Sequence, residues 1–352
     1  MRICHINLAK EFSGGEQQTL NLFGELSRRG IQQVLVCQKG GELERRAQEK
    51  GLPCRPVTHF AFGHLWPPGA DLLHCHCGKS VYWAALEHLL RGTPYLITRR
   101  VDNPLKRNWA TRWTYRSSAR VVCLSRAIEA SVQVSVGPMQ TKIIPSSYSS
   151  FQIDPAEVAA LRETWSGRFL VGQVGNLLGH KGHDLTLEAA RRLAGTHPQI
   201  QFLMLGDGPR RRELEKAASA LPNVTLVGHR KDIGNYLAVL DLFVFPSFTE
   251  GLGSSILEAM QAQVPVIASE AGGIPDLIDQ EHTGILFPCG DAAALTSAIS
   301  RLEGDPTLRT ALTREATRQL GKFSPESVAE RYLANYTDLI HPAEQRLRPL
   351  NP

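Results

Sequence analysis

Twice along this chain, an apolar run of strand length leads into a glycine-rich turn, a helix-like stretch and a second apolar run. The first instance begins at residues 1–8. It passes through Ser13-Gly14-Gly15 and a helical pattern over 16–29 with Leu20, Phe23 and Leu26 on one face, and after Gly30 it reaches residues 33–37. The second begins at 169–174, turns through Gly175–Gly182, continues as a helical pattern over 183–193 and reaches 201–205. A strand, tight turn, helix and strand in that order form a parallel βαβ unit. Further strand-like runs lie at 71–77, 95–98, 121–124 and 142–144 in the first half, and at 224–227, 242–245 and 264–268 in the second. The expectation is an α/β protein with two Rossmann-like, doubly wound parallel sheets. Residues 1–150 form the first domain and residues 151–324 the second, with a Ser- and Pro-rich boundary over 145–155. A last helix over about 325–340 is expected to pack back on the first domain, followed by a loosely ordered tail over 341–352.

Charge separates the halves. Residues 1–150 carry 20 Lys and Arg against 10 Asp and Glu, whereas residues 151–352 carry 19 against 24, within a formal net charge of +5. The basic half is therefore the one expected to meet an anionic partner. No nucleic-acid-binding motif or interleaving of basic and aromatic residues is present, so a nucleic acid is not expected. The N-terminal MRICHINLAK lacks the features of a signal peptide, and no apolar stretch is long enough to span a bilayer. A cytoplasmic location is expected, with contact to a membrane at most from the inner leaflet. Most of the seven cysteines fall in apolar runs and read as small hydrophobes. Cys75 and Cys77 alternate with His74 and His76. Along a strand the two pairs face opposite ways, so one ion cannot collect all four, and no metal is expected.

The densest chemistry lies in Glu250-Gly251-Leu252-Gly253-Ser254-Ser255-Ile256-Leu257-Glu258. It follows the strand at 242–245 and opens a helix, which places Glu250 in the loop and Glu258 in the first helical turn. A helix start offers unpaired N–H groups and positive dipole character to a phosphate, and glycines admit close approach. Carboxylates flanking such a site accept hydrogen bonds from hydroxyls. A ligand with hydroxyls on both sides of a diphosphate is a nucleotide sugar. Ser255-x-x-Glu258 also has the spacing of a capping box, in which the glutamate only satisfies backbone donors. Both readings stand on the sequence.

The stretch from Glu250 to Ile278 resembles the signature of the retaining glycosyltransferases of family 4, which have the GT-B fold of two such domains facing across a cleft. Ser13-Gly14-Gly15-Glu16 is similar to that family's N-terminal glycine loop, and residues 174–193 to its phosphate-binding segment. Gly206-Asp207-Gly208-Pro209 and Val227-Gly228-His229 also fall in family order. The resemblance implies that Glu250 contacts the transferred sugar and Glu258 the ribose hydroxyls. Gly251, Leu252, Gly253, Ser254 and Ser255 would hold sugar and diphosphate through the backbone. Lys181 would neutralise the diphosphate, Gly228, His229, Arg230 and Lys231 would line the base, and Gly14 and Gly15 would approach the diphosphate. His76 would face the reacting side of the sugar. His74 shares its face but lies deeper, as a core residue. The chain departs from the family at Asn176, where an arginine is usual, and at Pro145-Ser146-Ser147 in place of Pro-Asn-Gly.

These readings imply transfer of a hexose from a nucleotide sugar, UDP-linked as the family-level expectation, with retention of configuration and no cofactor. The chain contains no Asp-x-Asp. The expected acceptor is an envelope glycolipid or polysaccharide such as lipopolysaccharide core, with Arg99, Arg100 and Arg107 as its candidate contacts. Trp66, Trp83, Trp109 and Trp113 also lie in the basic half. Trp109 and Trp113 share helical spacing with Arg107, Arg112 and Arg116, as either an interfacial face or a packed helix. The alternatives of the same architecture are a nucleotide-sugar 2-epimerase and a non-catalytic nucleotide-sugar-binding protein.

Overall fold

A computed structural model describes residues 1–58, 62–64 and 69–341; Trp66 and residues 342–352 of the expected tail lie outside the described residues. The chain divides into two units. One is formed by Met1–Ser147 together with the segment from Ser324 onward, the other by Tyr148–Phe323.

In the first unit, strands β1 (Arg2–Asn7), β2 (Gln32–Gln38), β3 (Cys54–Val57), β4 (Leu72–Cys75), β5 (Tyr95–Arg99), β6 (Arg120–Cys123) and β7 (Thr141–Ile143) alternate with helices α1 (Gly14–Arg28), α2 (Glu42–Glu49), α3 (Gly78–Arg91), α4 (Trp109–Arg116) and α5 (Arg126–Val136). The sheet order is β3-β2-β1-β4-β5-β6-β7, with every pairing parallel. Its central strands read as near-continuous apolar runs because helices cover both faces. The order reverses between β1 and β4, and ligands of such sheets bind beyond the strand ends at that point.

The second unit comprises α6 (Pro155–Thr164), β8 (Phe169–Val174), α7 (His183–Leu193), β9 (Ile200–Leu205), α8 (Arg211–Ala218), β10 (Val224–Gly228), α9 (Ile233–Val239), β11 (Leu242–Phe245), α10 (Ser254–Gln261), β12 (Val266–Ser269), β13 (Ile285–Phe287), α11 (Ala292–Gly304) and α12 (Pro306–Leu320). Its all-parallel order is β10-β9-β8-β11-β12-β13, with the reversal between β8 and β11. A core including Val171, Leu187, Phe202, Met204, Val244 and Ile267 joins this sheet to its helices.

The last helix, α13 (Pro325–Ile340), belongs to the first unit. Val328, Ala329, Tyr332 and Tyr336 pack with Ile3, Leu22, Leu26, Leu72, Leu96 and Val122. Two boundaries differ from the sequence expectation. Gly14 and Gly15 form the first turn of α1, not a turn before it. Ser13 caps the helix: Glu16 accepts from the Ser13 N–H at 3.0 Å and from its hydroxyl at 2.7 Å. The strand expected over 71–77 ends at Cys75, because Cys77 is already the N-cap of α3 and its sulfur accepts from Leu8 N–H at 3.2 Å.

Candidate active site

In the second unit, the candidate groups gather beyond the reversal point between β8 and β11. Lys181 sits in a short 3-10 turn (Gly179–Lys181) that ends in Gly182. Gly182 has φ +68°, and a Cβ there would lie 1.9 Å from the carbonyl oxygen of Pro246, so only glycine lets the two loops touch. The Gln173 amide donates to the Lys181 carbonyl at 2.9 Å and accepts from the Thr186 hydroxyl at 2.7 Å. Phe248 N–H donates to the His180 carbonyl at 2.7 Å. These bonds fix the Lys181 backbone against β8 and against the loop after β11.

Glu250 occupies that second loop. Its carboxylate accepts from the Lys181 ammonium in a direct ion pair and from the Ser247 hydroxyl at 3.3 Å. Lys181 also lies 5.5 Å from the centre of the Phe245 ring. Gly273 N–H donates to the Glu250 carbonyl at 2.8 Å, and a Cβ on Gly272 would approach that carbonyl to 2.2 Å. The loop is thus held by close backbone packing on both sides.

Leu252 is buried, and Gly253, at φ +91°, is the N-cap of α10. No side chain caps this helix. Ser254 and Ser255 form its first turn and are half-buried. Glu258 is the fifth residue of α10 and lies in its second turn, a correction to the expected first turn. With Gly253 at the N-cap, Ser255 and Glu258 do not form a capping box. The Glu258 carboxyl has no hydrogen-bond or ion-pair partner among the described residues, and burial raises its pKa to about 7. It lines a cavity of about 820 Å³ with Lys231, Asp232, Asn235 and residues 149–155.

Of the run proposed to line a base, Lys231 reaches that cavity. Gly228, at φ +82°, accepts from Gly206 N–H at 2.9 Å. His229 is exposed, and Arg230 turns to Asp232 and to the Tyr236 ring, 4.9 Å from its centre. Asn176 is exposed, and its carbonyl accepts from Leu178 N–H at 2.8 Å. The segment 149–155 is a wall of the Glu258 cavity that sequence reasoning treated only as a boundary.

In the first unit, a cavity of about 780 Å³ lies beyond the strand ends, with Lys10, Lys79, Tyr82, Arg99, Lys106 and Tyr115 in its lining. Of the three candidate arginines, Arg99 belongs to it. Arg107 is exposed outside it. Arg100 turns inward beside Gln18, Ser146, Ser147 and Tyr332. Lys79 follows Gly78 in the first turn of α3, directly after a strand-to-helix junction that the sequence marks with this glycine. A Cβ on Gly14 would meet nothing within 4 Å, and one on Gly15 would sit 3.5 Å from the Arg100 side chain.

His76 is buried just past β4. Its Nε2 lies 2.9 Å from His5 Nδ1, and His5 Nε2 lies 2.9 Å from the side-chain amide oxygen Oε1 of Gln33. The Gln33 NH₂ donates to the Phe23 carbonyl and the Ser27 hydroxyl, which fixes the amide orientation. The tautomers follow. His5 donates from Nε2, so its Nδ1 accepts from His76 Nε2–H, and His76 Nδ1 is left as an acceptor facing the Arg100 guanidinium at 3.4 Å. Burial first, then the neighbouring histidines and Arg100, holds His76 well below the ordinary histidine range, and burial lowers His5 to about 4. His74 is fully buried between the Tyr336 hydroxyl at 2.6 Å and the Thr98 hydroxyl at 2.7 Å. His5, His74 and His76 are the one metal-capable cluster among the described residues, with ligand atoms within 4.8 Å. Each of their ring nitrogens already faces a protein partner. Cys75 points elsewhere, toward the Ser80 carbonyl.

Comparison with known proteins follows the same division. The family model described as glycosyl transferase 4-like domain matches residues 13–146, and that of glycosyl transferases group 1 matches residues 168–305. The alpha-D-kanosaminyltransferase of Streptomyces kanamyceticus is 27% identical over 298 residues, covering 76% of this chain and 77% of that one. The lipopolysaccharide core biosynthesis glycosyltransferase LpsE of Rhizobium meliloti (strain 1021) is 26% identical over 346 residues, covering 95% and 98%. Among solved structures, HepE of Anabaena in complex with UDP and glucose superposes with a TM-score of 0.81 at 20% identity, covering 96% of this chain and 100% of that one. With a matching family domain on each parallel-sheet unit, the chain is a glycosyltransferase of GT-B architecture and of the family 4 kind.

Proposed function

We propose that this glycosyltransferase moves a hexose from a UDP-linked donor to an envelope glycan or glycolipid, with retention at the anomeric carbon and without a metal. The observation that carries the reading is the Glu258 carboxyl, unpartnered in its cavity beside a helix start with no side-chain cap. A buried carboxylate without a donor is costly unless a ligand supplies one. Ribose hydroxyls supply two. The N–H groups at Gly253, Ser254 and Ser255 suit a diphosphate, which accepts what they donate. Lys181 then serves the departing diphosphate and Glu250 the sugar hydroxyls, so donor binding exchanges part of their mutual pairing for contacts with the ligand. Fixed charge at the point where the leaving group gains charge is the main catalytic contribution of such a site.

Within the first unit, we assign the α1 start to a phosphate group and His76, as a neutral acceptor at Nδ1, to a sugar hydroxyl. Arg99 with Lys10, Lys79 and Lys106 lines the cavity that would take the acceptor. LpsE, similar over nearly its whole length, is named for lipopolysaccharide core biosynthesis, which supports an envelope acceptor. The UDP in the HepE complex supports the uridine donor. The test is nucleotide release from UDP-glucose and UDP-galactose with and without lipopolysaccharide core oligosaccharide. Acceptor-dependent UDP release, abolished in Glu250→Gln, is the expected result. Conversion of the nucleotide sugar to its 2-epimer without acceptor would overturn the reading.

A further inference from the structure

Helix α4 is eight residues long, and its sides differ sharply. Thr111, Thr114 and Tyr115 are buried. The outward stripe is Trp109, Arg112, Trp113 and Arg116, at the spacing of one helical face. Trp109 is 81% exposed and Trp113 is 41% exposed. The helix is held firmly in this orientation. Asn108 caps it by accepting from Thr111 N–H at 2.8 Å, the Tyr82 hydroxyl lies 3.0 Å from that of Thr111, and Arg116 donates to the Val136 carbonyl at 2.9 Å. Val101 and Tyr82, both exposed, add apolar surface nearby.

The same segment is basic without relief. Residues 103–116 contain Lys106, Arg107, Arg112 and Arg116 and no Asp or Glu. The side chains of Lys106, Arg107 and Arg112 have no hydrogen-bond or ion-pair partner among the described residues. Many arginines elsewhere are matched to carboxylates, as in Arg162–Asp241, Arg210–Asp184 and Arg301–Glu281.

We infer that this stripe is a docking face for an anionic lipid bilayer, with the indoles of Trp109 and Trp113 at headgroup depth and Arg107 and Arg112 on lipid phosphates. Tryptophan pairs an apolar body with an N–H that remains hydrated, and it favours the water–lipid boundary. Guanidinium binds phosphate bidentately. Both preferences are satisfied at once by a bilayer surface. A second copy of the chain fits poorly, because a two-fold contact through so short a helix would set Arg112 against like charge. The face lies outside the donor site, so this inference does not depend on the identity of the donor.

The test is cosedimentation of the full chain with vesicles of phosphatidylcholine alone and of phosphatidylcholine with phosphatidylglycerol. Wild type should bind the anionic vesicles and not the neutral ones, with binding weakened by salt. Trp109→Ser/Trp113→Ser and Arg107→Gln/Arg112→Gln should each reduce partitioning at least about tenfold. Both variants should melt cooperatively, the arginine variant like wild type and the tryptophan variant somewhat lower, because Trp113 is only 41% exposed and loses apolar packing. Nucleotide binding by the tryptophan variant should be unchanged. Failure of wild type to bind anionic vesicles, or wild-type binding by both variants, overturns the inference. So does a dimer that the tryptophan variant dissociates in the absence of lipid.

Discussion

Lys181 and Glu250 form a direct ion pair although 69 residues separate them in the chain. The contact exists because Gly182 and Gly272 let their loops pack backbone to backbone. With side chains 19% and 14% exposed, the pair is half-buried, and its loss should cost only about 1 kcal/mol of stability. Its loss should cost far more in rate. Lys181→Ala is expected to lower the transfer rate by about two orders of magnitude or more, as removal of a fixed charge at a leaving group does. Steady-state kinetics beside thermal melts separate the two effects.

Two glycines should respond in opposite ways to alanine. At Gly14 a Cβ meets nothing within 4 Å, and the residue lies in the first turn of α1. Gly14→Ala should fold with unchanged or slightly raised stability but lose transferase activity, because the methyl group occupies space assigned to the ligand. At Gly182 a Cβ would clash with the Pro246 carbonyl at positive φ, so Gly182→Ala should lower the melting temperature directly. Melting curves and rates for both variants check the contrast.

Glu258 makes stability and binding depend on pH in opposite directions. Burial raises its pKa from 4.5 to about 7. A carboxyl with a raised folded pKa contributes stability that is complete below about pH 4.5 and is lost as pH rises through about 7. The loss is on the order of 2–3 kcal/mol. Glu258→Gln should therefore be more stable than wild type at pH 8. Hydroxyl donors need the ionised form, so nucleotide affinity should fall about tenfold per pH unit below 7 and level off above it. Denaturant melts and titrations across pH 5–9 measure both.

The hydrogen-bond chain from Gln33 through His5 to His76, with burial holding His76 well below the ordinary histidine range, predicts a neutral, Nε2-protonated His76 at neutral pH. Nitrogen-15 correlation spectra should show its Nδ1 as an acceptor there. Gln33→Leu removes the group that orients His5 and should cost about 1–3 kcal/mol through unsatisfied buried donors.

The elements that were easiest to read are strands buried on both faces and a helix with one clean apolar stripe. Phe169–Val174, His183–Leu193 and Leu242–Phe245 have the bounds that their apolar patterns predict. The edge strands Cys54–Val57 and Ile285–Phe287 gave no such signal, being only four and three residues long, and Pro56 interrupts the first. Gly14 and Gly15 looked like a turn because glycine carries that expectation, yet the Ser13–Glu16 box starts the helix first. At the site, the Glu250–Glu258 segment was visible as a pattern. Whether Glu258 capped its own helix depended on which residue took the N-cap, and Gly253 did. The pairing of His5 with His76 was hidden because alternation along one strand does not say which strand lies beside it. That depends on the β1–β4 register, which sets His5 opposite His74.

The most direct test of the donor site is calorimetric titration of wild type and Glu258→Gln with UDP, GDP and ADP at pH 8. The account predicts that UDP binds wild type best and that Glu258→Gln, though folded and more stable, loses at least about tenfold in affinity. Equal binding of UDP by both proteins would contradict it, because the unpartnered Glu258 carboxylate would then have no part in holding the nucleotide.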